Sequence, residues 1–418
     1  MRRSRLALAG SIVLILAGCG SSGTPPPALT PSAAAPTAQA QLSPSTAPSV
    51  APPSPSPSSA ASGWQHVPDQ PAFGKTQLAL VVWTGQRFIA AGSLDDGSAA
   101  IFDSNDGQAW HLGPNFGTDV QIHGLAATPA GVVAVGAKGS DGQSWISTDG
   151  LSWTAGAPVP AVHPGAGGLV RMNMATSTGT GWLAVGEEDV ACQLDCNSSA
   201  AVRAAAWISG DGRTWTRQPD SVALGHAAMI GVVRGGPGYV AVGIAPDQPA
   251  SVAGPEHAVV WTSTDGHAWS RVPDAATFHA PKGTDQTFGD MMSGVATDGT
   301  QLVAVGLVES QDAGSALAWR SVDGRAWTRA TGDRFPYGQL FRVAAVPDGF
   351  LATGPSGEDS CLGGIWSSAD GGSWSCVAVD PTFAGFAAYA AASSPQVEVV
   401  VGLDTSTGST SVWTRATP

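Results

Sequence analysis

One nine-residue pattern, Trp-x-Ser-x-Asp-Gly-x-x-Trp, returns along the chain and constrains its fold more than any other feature. It reads Trp145-Ile-Ser-Thr-Asp149-Gly150-Leu-Ser-Trp153. It recurs at Trp207–Trp215, Trp261–Trp269, Trp319–Trp327 and Trp366–Trp374, and a first copy, Phe102–Trp110, carries Phe for the leading Trp. A second pattern is a β-rich run ending in Gly. It appears as Phe88–Gly92, Val132–Gly136, Trp182–Gly186, Tyr239–Gly243, Leu302–Gly306, Phe350–Gly354 and Glu398–Gly402. A run of small apolar residues and a turn precede each, as in Gly124-Leu-Ala-Ala-Thr128 before Pro129-Ala-Gly131. Six copies of one pattern against seven of the other need an explanation.

Each unit reads as four strands. Strand a is the small-apolar run, b ends in Gly, c carries the leading aromatic, and d starts at the closing Trp. Residues 64–418 divided among seven units give about 51 residues each, the size of a four-stranded propeller repeat. The expected fold is all-β: a seven-bladed β-propeller with four antiparallel strands per blade. The seventh unit lacks the Asp-Gly hairpin. Trp413 follows Gly402 by eleven residues, a gap that fits a leading aromatic, whereas a closing Trp lies at least 17 residues past its Gly. Trp413 therefore belongs to strand c. The missing strand d is assigned to the N-terminus, where Trp64-Gln-His-Val-Pro-Asp69 matches Trp269-Ser-Arg-Val-Pro-Asp274. A ring closed by the N-terminal strand removes two open sheet edges. The competing assignment makes Trp413–Thr417, a copy of Trp327–Thr331, strand d itself.

The six hairpins resemble the Asp-box (BNR) repeat of sialidases and other propellers, shortened by one residue. The resemblance covers residues 64–418 and implies fold, not chemistry. Asp106, Asp149, Asp211, Asp265, Asp323 and Asp370 read as structural residues: Ser and Asp side chains satisfy turn N–H groups and Gly supplies positive φ. Each carboxylate sits on a separate blade's hairpin, so the six do not converge on a metal or a substrate. A sialidase-like enzyme is implied to grip a carboxylate with three arginines, attack from a Tyr–Glu pair and use an Asp as acid/base. The polar residues entering the inner strands are Arg171, Asp290, Arg342 and Tyr389, and only the enzyme alternative makes them catalytic. Arg234 reads at the opposite end of its strand. The first unit holds no Arg-Ile-Pro motif; the nearest string, Arg334-Phe-Pro336, falls between units five and six. No Glu is placed beside Tyr389. The catalytic set is not recovered, and a protein without chemistry of its own is expected.

The N-terminus fixes the expected location. Arg2, Arg3 and Arg5 precede an apolar run of eleven residues, Leu6–Leu16, too short to span a bilayer permanently. Leu16-Ala17-Gly18-Cys19 resembles the bacterial lipobox, which implies cleavage before Cys19 and its lipidation. The expected organisation is a signal peptide over 1–18, a lipidated Cys19 with a Pro/Ser/Ala-rich disordered tether over 19–62, and the propeller over 63–418. The tether holds eleven prolines and no charge, with little to bury. The protein is thus expected on the extracytoplasmic face of the cell membrane.

Lys and Arg number 19 against 32 Asp and Glu, a net charge of −13, which disfavours nucleic acid as a partner. Four cysteines remain after Cys19. In an exported protein they suggest disulfides: Cys361 with Cys376 across strands c and d, and Cys192 with Cys196 around a small loop. Two other pairings remain possible. No further Cys or His lies near Cys192 in sequence, so neither metal nor cofactor is expected. The hairpins occupy one face. The opposite face carries the long loops 187–204, 244–257, 272–289 and 307–316, where function is expected. The function expected is a monomeric binding or scaffold module for a protein or glycan. The alternative is a sialidase-like glycoside hydrolase or lyase, and a docking scaffold for a membrane complex is a third reading.

Overall fold

The computed structural model describes residues 63–162, 168–189, 202–247, 256–279, 287–310, 315–332, 335, 338–355 and 361–417. Cys19, the tether, Cys192, Cys196, and Arg334 and Pro336 lie outside them. The described chain is a β-propeller of antiparallel meanders. Unit one runs Gln77–Trp83, Phe88–Ser93, Ala99–Ser104 and His111–Gly117, and unit two Val120–Thr128, Gly131–Lys138, Asp141–Ser147 and Thr154–Ala155. Unit three is Val170–Ser177, Trp182–Asp189, Val202–Ser209 and Thr216–Arg217; unit four is Ala228–Gly235, Gly238–Pro246, Glu256–Ser263 and Ser270–Arg271. Unit five is Thr287–Thr297, Leu302–Ser310, Ser315–Ser321 and Thr328–Arg329; unit six is Arg342–Val346, Gly349–Thr353, Ile365–Ser368 and Ser373–Cys376. Phe386–Ser393, Val397–Asp404 and Ser409–Ala416 end the chain, and Gln65–His66 pairs with the last of them.

Seven separate sheets are not what these residues form. Five blades of four or five strands stand apart, and units four and five merge into one eight-stranded sheet. The merger has a local cause. Strand a of unit five is 11 residues long, and its start reaches strand c of unit four, where Gly289 pairs in parallel with Glu256. Unit six gains a fifth strand, Thr331–Gly332, parallel to Ser373–Cys376.

Register repeats from unit to unit. The leading Trp of strand c lies opposite the third residue of the Gly-ending run, as Trp207 does Ala184 and Trp261 does Ala241. On its other side stands the residue two past the closing Trp: Arg217 beside Trp207, Arg271 beside Trp261. In the last sheet Trp413 lies between Val400 and His66, and His66 is two past Trp64. Trp413 therefore occupies the strand c position, and the assignment of Trp413 to strand d does not fit.

The core is shared between neighbouring blades. Trp207, Trp261, Trp319 and Trp366 are fully buried. Trp319 and Trp327 of unit five pack with Val240 and Val242 of unit four. Val399, Val401 and Val412 pack likewise with Phe88, Phe102 and Trp110 of unit one. Burial on this scale is the dominant stabilising term.

The hairpins behave as local clasps. In Ser147-Thr-Asp149-Gly150, Ser147 Oγ donates to Asp149 Oδ1 (2.9 Å) and accepts from Gly150 N (2.8 Å). Asp149 Oδ1 also accepts from Leu151 N and Ser152 N, both at 2.8 Å. Gly150 has φ +75°, a conformation costly for other residues. The backbone N–H groups of Ser152 and Leu151 hold the Asp149 carboxyl well below the usual carboxylate range. Asp211, Asp265, Asp323 and Asp370 are held low by the same kind of backbone donor. Asp106 is low as well, its backbone donors Ala109 and Gln108 outweighing burial. Cys361 and Cys376 form a disulfide beside the sixth hairpin.

One irregularity positions the inner surface. Six of the inner strands carry a β-bulge at the same place, at Ala79, His123, Asn173, Ile230, Ser293 and Tyr389. Opposite the residue before the bulge stands the Gly that ends strand b, as Gly186 faces Met172. The bulge pushes a backbone carbonyl against that Gly. A Cβ on Gly92, Gly136, Gly186, Gly243, Gly306 or Gly402 would lie only 1.8 to 2.1 Å from such an oxygen, and one on Gly354 would lie 1.9 Å from Gln339 O, just before strand a of unit six. The repeated glycine is thus a requirement of close approach.

Candidate functional site

Strand a begins, and strand b ends, on the face opposite the hairpins. That geometry gathers Arg171, Asp290 and Arg342 at one end of the propeller, while Arg234, near the end of its strand, lies at the other. Arg171 and Arg342 start their strands there. Arg171 Nη1 donates to Glu187 Oε1 at 3.0 Å and lies 3.9 Å from Asp189 Oδ1. Burial pushes both of those carboxyls up, and the Arg171 charge opposes the shift. Arg342 Nη1 donates to the carbonyls of Ser293 (3.1 Å) and Phe341 (3.2 Å), and burial lowers its pKa to about 10. It remains a cation at neutral pH.

Between units two and three lies a cleft of about 280 Å³ lined by Asp119, Gln121, Leu169 and Arg171, among others. That volume is at the lower edge of small-molecule pockets. Beside it, His123 projects from a bulge and feels the charges of both Arg171 and Arg342. Burial, then those two arginines, lower its pKa to about 4. Neighbouring bulges lock blades together: Asn173 Nδ2 donates to Met229 O (2.9 Å), and Ser293 Oγ to Leu340 O (2.7 Å).

A second cluster lies at units four and five. Asp290 is 2% exposed, and neither carboxylate oxygen has a hydrogen-bond partner. Burial pushes its pKa up to about 6, against the pull of Arg329 and His279, while Asp247 pushes the same way as burial. Asp247 and His257 bond through Oδ1 and Nδ1 at 2.6 Å. Tyr389 stands apart from both clusters: its ring is buried, and burial raises its hydroxyl pKa. The structure thus brings Arg171 and Arg342 to bear on one residue, His123. It places Asp290 with Arg329 instead, and gives Tyr389 no part in either group.

No family model matches this chain, and no curated protein sequence matches it. Solved structures do. The β-propeller domain of the Trilobed protease from Pyrococcus furiosus is 9% identical, with 78% of this chain and 91% of that one covered and a TM-score of 0.42. A thermostable family-43 glycoside hydrolase is 8% identical over 82% of this chain and 90% of its own, at a TM-score of 0.39. The SapL1 lectin, solved with alpha methyl fucoside, is 14% identical over 71% and 92%, at 0.41.

Sequence reasoning missed His123, Asn173 and Ser293. A bulge adds one residue to a strand without changing its composition, so alternation along strand a does not reveal it. The signal lay on the partner strand, in the recurring Gly. It missed Asp247, His257 and His279 because they come from unit four and the link that follows it and share no motif.

His123 carries a measurable consequence. Its folded pKa is lowered, so the unfolded chain takes up a proton first as pH falls below 6.5. Stability from this group is complete above that pH and is lost as pH drops towards 4. His123→Gln should retain on the order of 2 kcal/mol that the wild type loses between pH 7.5 and 4.5. Urea unfolding at both pH values measures the difference, and equal losses in the two proteins would refute it.

Proposed function

We propose that this chain is a lipid-anchored extracytoplasmic β-propeller that closes its seven repeat units into one ring. It binds a protein or glycan partner through the face opposite its hairpins. Closure is supported by the register around Trp413 and by the layer that Val399 and Val401 share with Phe88. The anchor rests on the lipobox ending in Cys19.

The observation that carries the binding reading is how the arginines of that face are engaged. Arg171 is held by Glu187 and Asp189, and Arg342 by two backbone carbonyls. A sialidase-like site needs arginines free to grip an anionic substrate. Groups already partnered instead suit a preorganised surface, where charge steers encounter and sets specificity. The net negative charge favours a neutral or cationic partner.

One observation favours a glycoside hydrolase as the second reading. Asp290 is a buried carboxyl with its pKa raised to about 6, the state a general acid needs.

A single comparison separates the two. Cell fractionation should find the wild type in the membrane and Cys19→Ala in the soluble fraction. The wild type should capture a partner from envelope extract that Arg171→Glu does not, and should leave a panel of fluorogenic glycosides, sialosides included, unhydrolysed. Turnover abolished by Asp290→Asn, in a variant that keeps its fold, would replace the binding reading with the hydrolase.

A further inference from the structure

Asp247, His257 and His279 come from different elements of unit four and of the link to unit five, yet their ligand atoms all lie within 4.8 Å of one another. Asp247 directly follows strand b of unit four, and His257 lies within strand c, opposite Ala245. His279 follows a short 3-10 turn, Ala276–Phe278, anchored by the buried Phe278. Its carbonyl accepts from Arg329 Nη2 at 2.8 Å, and Thr277 O accepts from the same nitrogen at 2.9 Å. All three ligand-bearing residues are therefore held on or next to pinned backbone, as a preorganised site requires.

The imidazoles of His257 and His279 stack with centroids 4.9 Å apart and planes at 26°. Asp274 meets His279 Nε2 with both oxygens, at 2.8 and 2.9 Å. That bond fixes the ring and leaves Nδ1 as its free nitrogen, the outer-carboxylate arrangement usual at metal-binding histidines. Side-chain exposures of 28% for Asp247, 14% for His257 and 36% for His279 leave a route for an ion from solution.

A second, independent anomaly lies beneath. Asp290 is buried, has no hydrogen-bond partner on either oxygen, and feels the charges of His279 and Asp247. Buried polar groups in native proteins are paired. Asp290 feels the Arg329 charge, but Arg329 Nη2 is spent on the carbonyls of Thr277 and His279, so the carboxylate near His279 keeps two unsatisfied oxygens, which points to a further cation.

We propose that Asp247, His257 and His279 form a binding site for a divalent transition-metal ion of the zinc class. Two imidazole nitrogens and one carboxylate oxygen suit zinc; calcium and magnesium take oxygen ligands alone. Tetrahedral ligands at 2.0–2.2 Å stand about 3.4 Å apart. Binding opens the Asp247–His257 contact slightly and draws the other ligand atoms together. Three protein ligands leave one coordination position open. Asp290 supplies buried negative charge that offsets the ion's. The site stands whether or not the surrounding face engages a partner.

The test uses the full chain stripped with a chelator. Calorimetric titration with Zn²⁺ should show one saturable equivalent, and Co²⁺ should produce visible absorption bands of a nitrogen- and oxygen-ligated ion. His257→Gln and His279→Gln should each weaken Zn²⁺ binding by more than about tenfold and remove the Co²⁺ bands, and Asp290→Asn should weaken binding about tenfold. Cys192→Ser with Cys196→Ser should leave the titration unchanged. Tryptophan fluorescence confirms folding of each variant, and Asp247→Asn replaces any His variant that does not fold. A wild type without one saturable equivalent overturns the site. So does binding that survives His257→Gln combined with His279→Gln, which would leave the three residues as a plain His–Asp network.

Discussion

Removal of residues 63–70 should bring the protein close to unfolding at room temperature. The segment is short, but it supplies Trp64 and Val67, both buried. Val67 N donates to Val412 O at 2.8 Å. The guanidinium of Arg415 stacks 4.9 Å from the Trp64 ring, while its Nε bonds the fully buried Glu398 at 2.6 Å. His66 lies against Trp413, centroids 5.2 Å apart. Loss of a buried Trp alone costs about 3–5 kcal/mol, and the segment adds a buried Val and exposes the edge of Ser409–Ala416. Total stabilities of 5–15 kcal/mol leave little margin. The truncated chain should aggregate in size-exclusion chromatography and lose most of its cooperative melt. A soluble monomer that melts like the full chain would show that the first strand does not close the ring.

Gly186→Ala should be among the most damaging single methyl additions to this chain. The new Cβ would stand 1.9 Å from Arg171 O and 2.9 Å from its carbonyl carbon, both backbone atoms that cannot rotate away. Strand a would have to give up its bulge or separate from strand b. Overpacking of this kind costs about 3 kcal/mol, a fall in melting temperature of roughly 4 °C for a domain of this size. Gly210→Ala is the control, since nothing lies within 4 Å of its Cβ position and its φ is ordinary. Equal melting temperatures for the two variants would remove the close-approach account of the repeated glycine.

The four-strand unit was legible because each hairpin names its own turn: Ser, Asp and Gly at fixed offsets leave the backbone few alternatives. The place of Trp64 was legible by likeness to Trp269, and the pairing of His66 with Trp413 is found. The Cys361–Cys376 bridge could be read from its position astride the sixth hairpin. The merger of units four and five was not legible. It depends on a single parallel pairing, Glu256 with Gly289, set by how far strand a of unit five extends. The inner surface was legible only in part. Arg171 and Arg342 could be placed because they begin strands, and both charges reach one histidine. That histidine, His123, was hidden by a bulge whose only mark is a glycine on the neighbouring strand. The expectation of no metal was drawn from local spacing alone. Asp247, His257 and His279 are gathered where the link after unit four packs back on its strand c, which local spacing does not record.

The bulges separate what the propeller is made of from what it displays. At each bulged position one residue stands outside the ladder, so its side chain carries no share of the strand pairing. Asn173 and Ser293 use that freedom to tie blades together, whereas Ala79 and Ile230 extend no polar group at all. Positions 79 and 230 are therefore blank sites on a fixed frame. Side chains installed there would stand at the same place in their units as His123, so new recognition chemistry could be written one residue at a time while the scaffold keeps its hydrogen bonds.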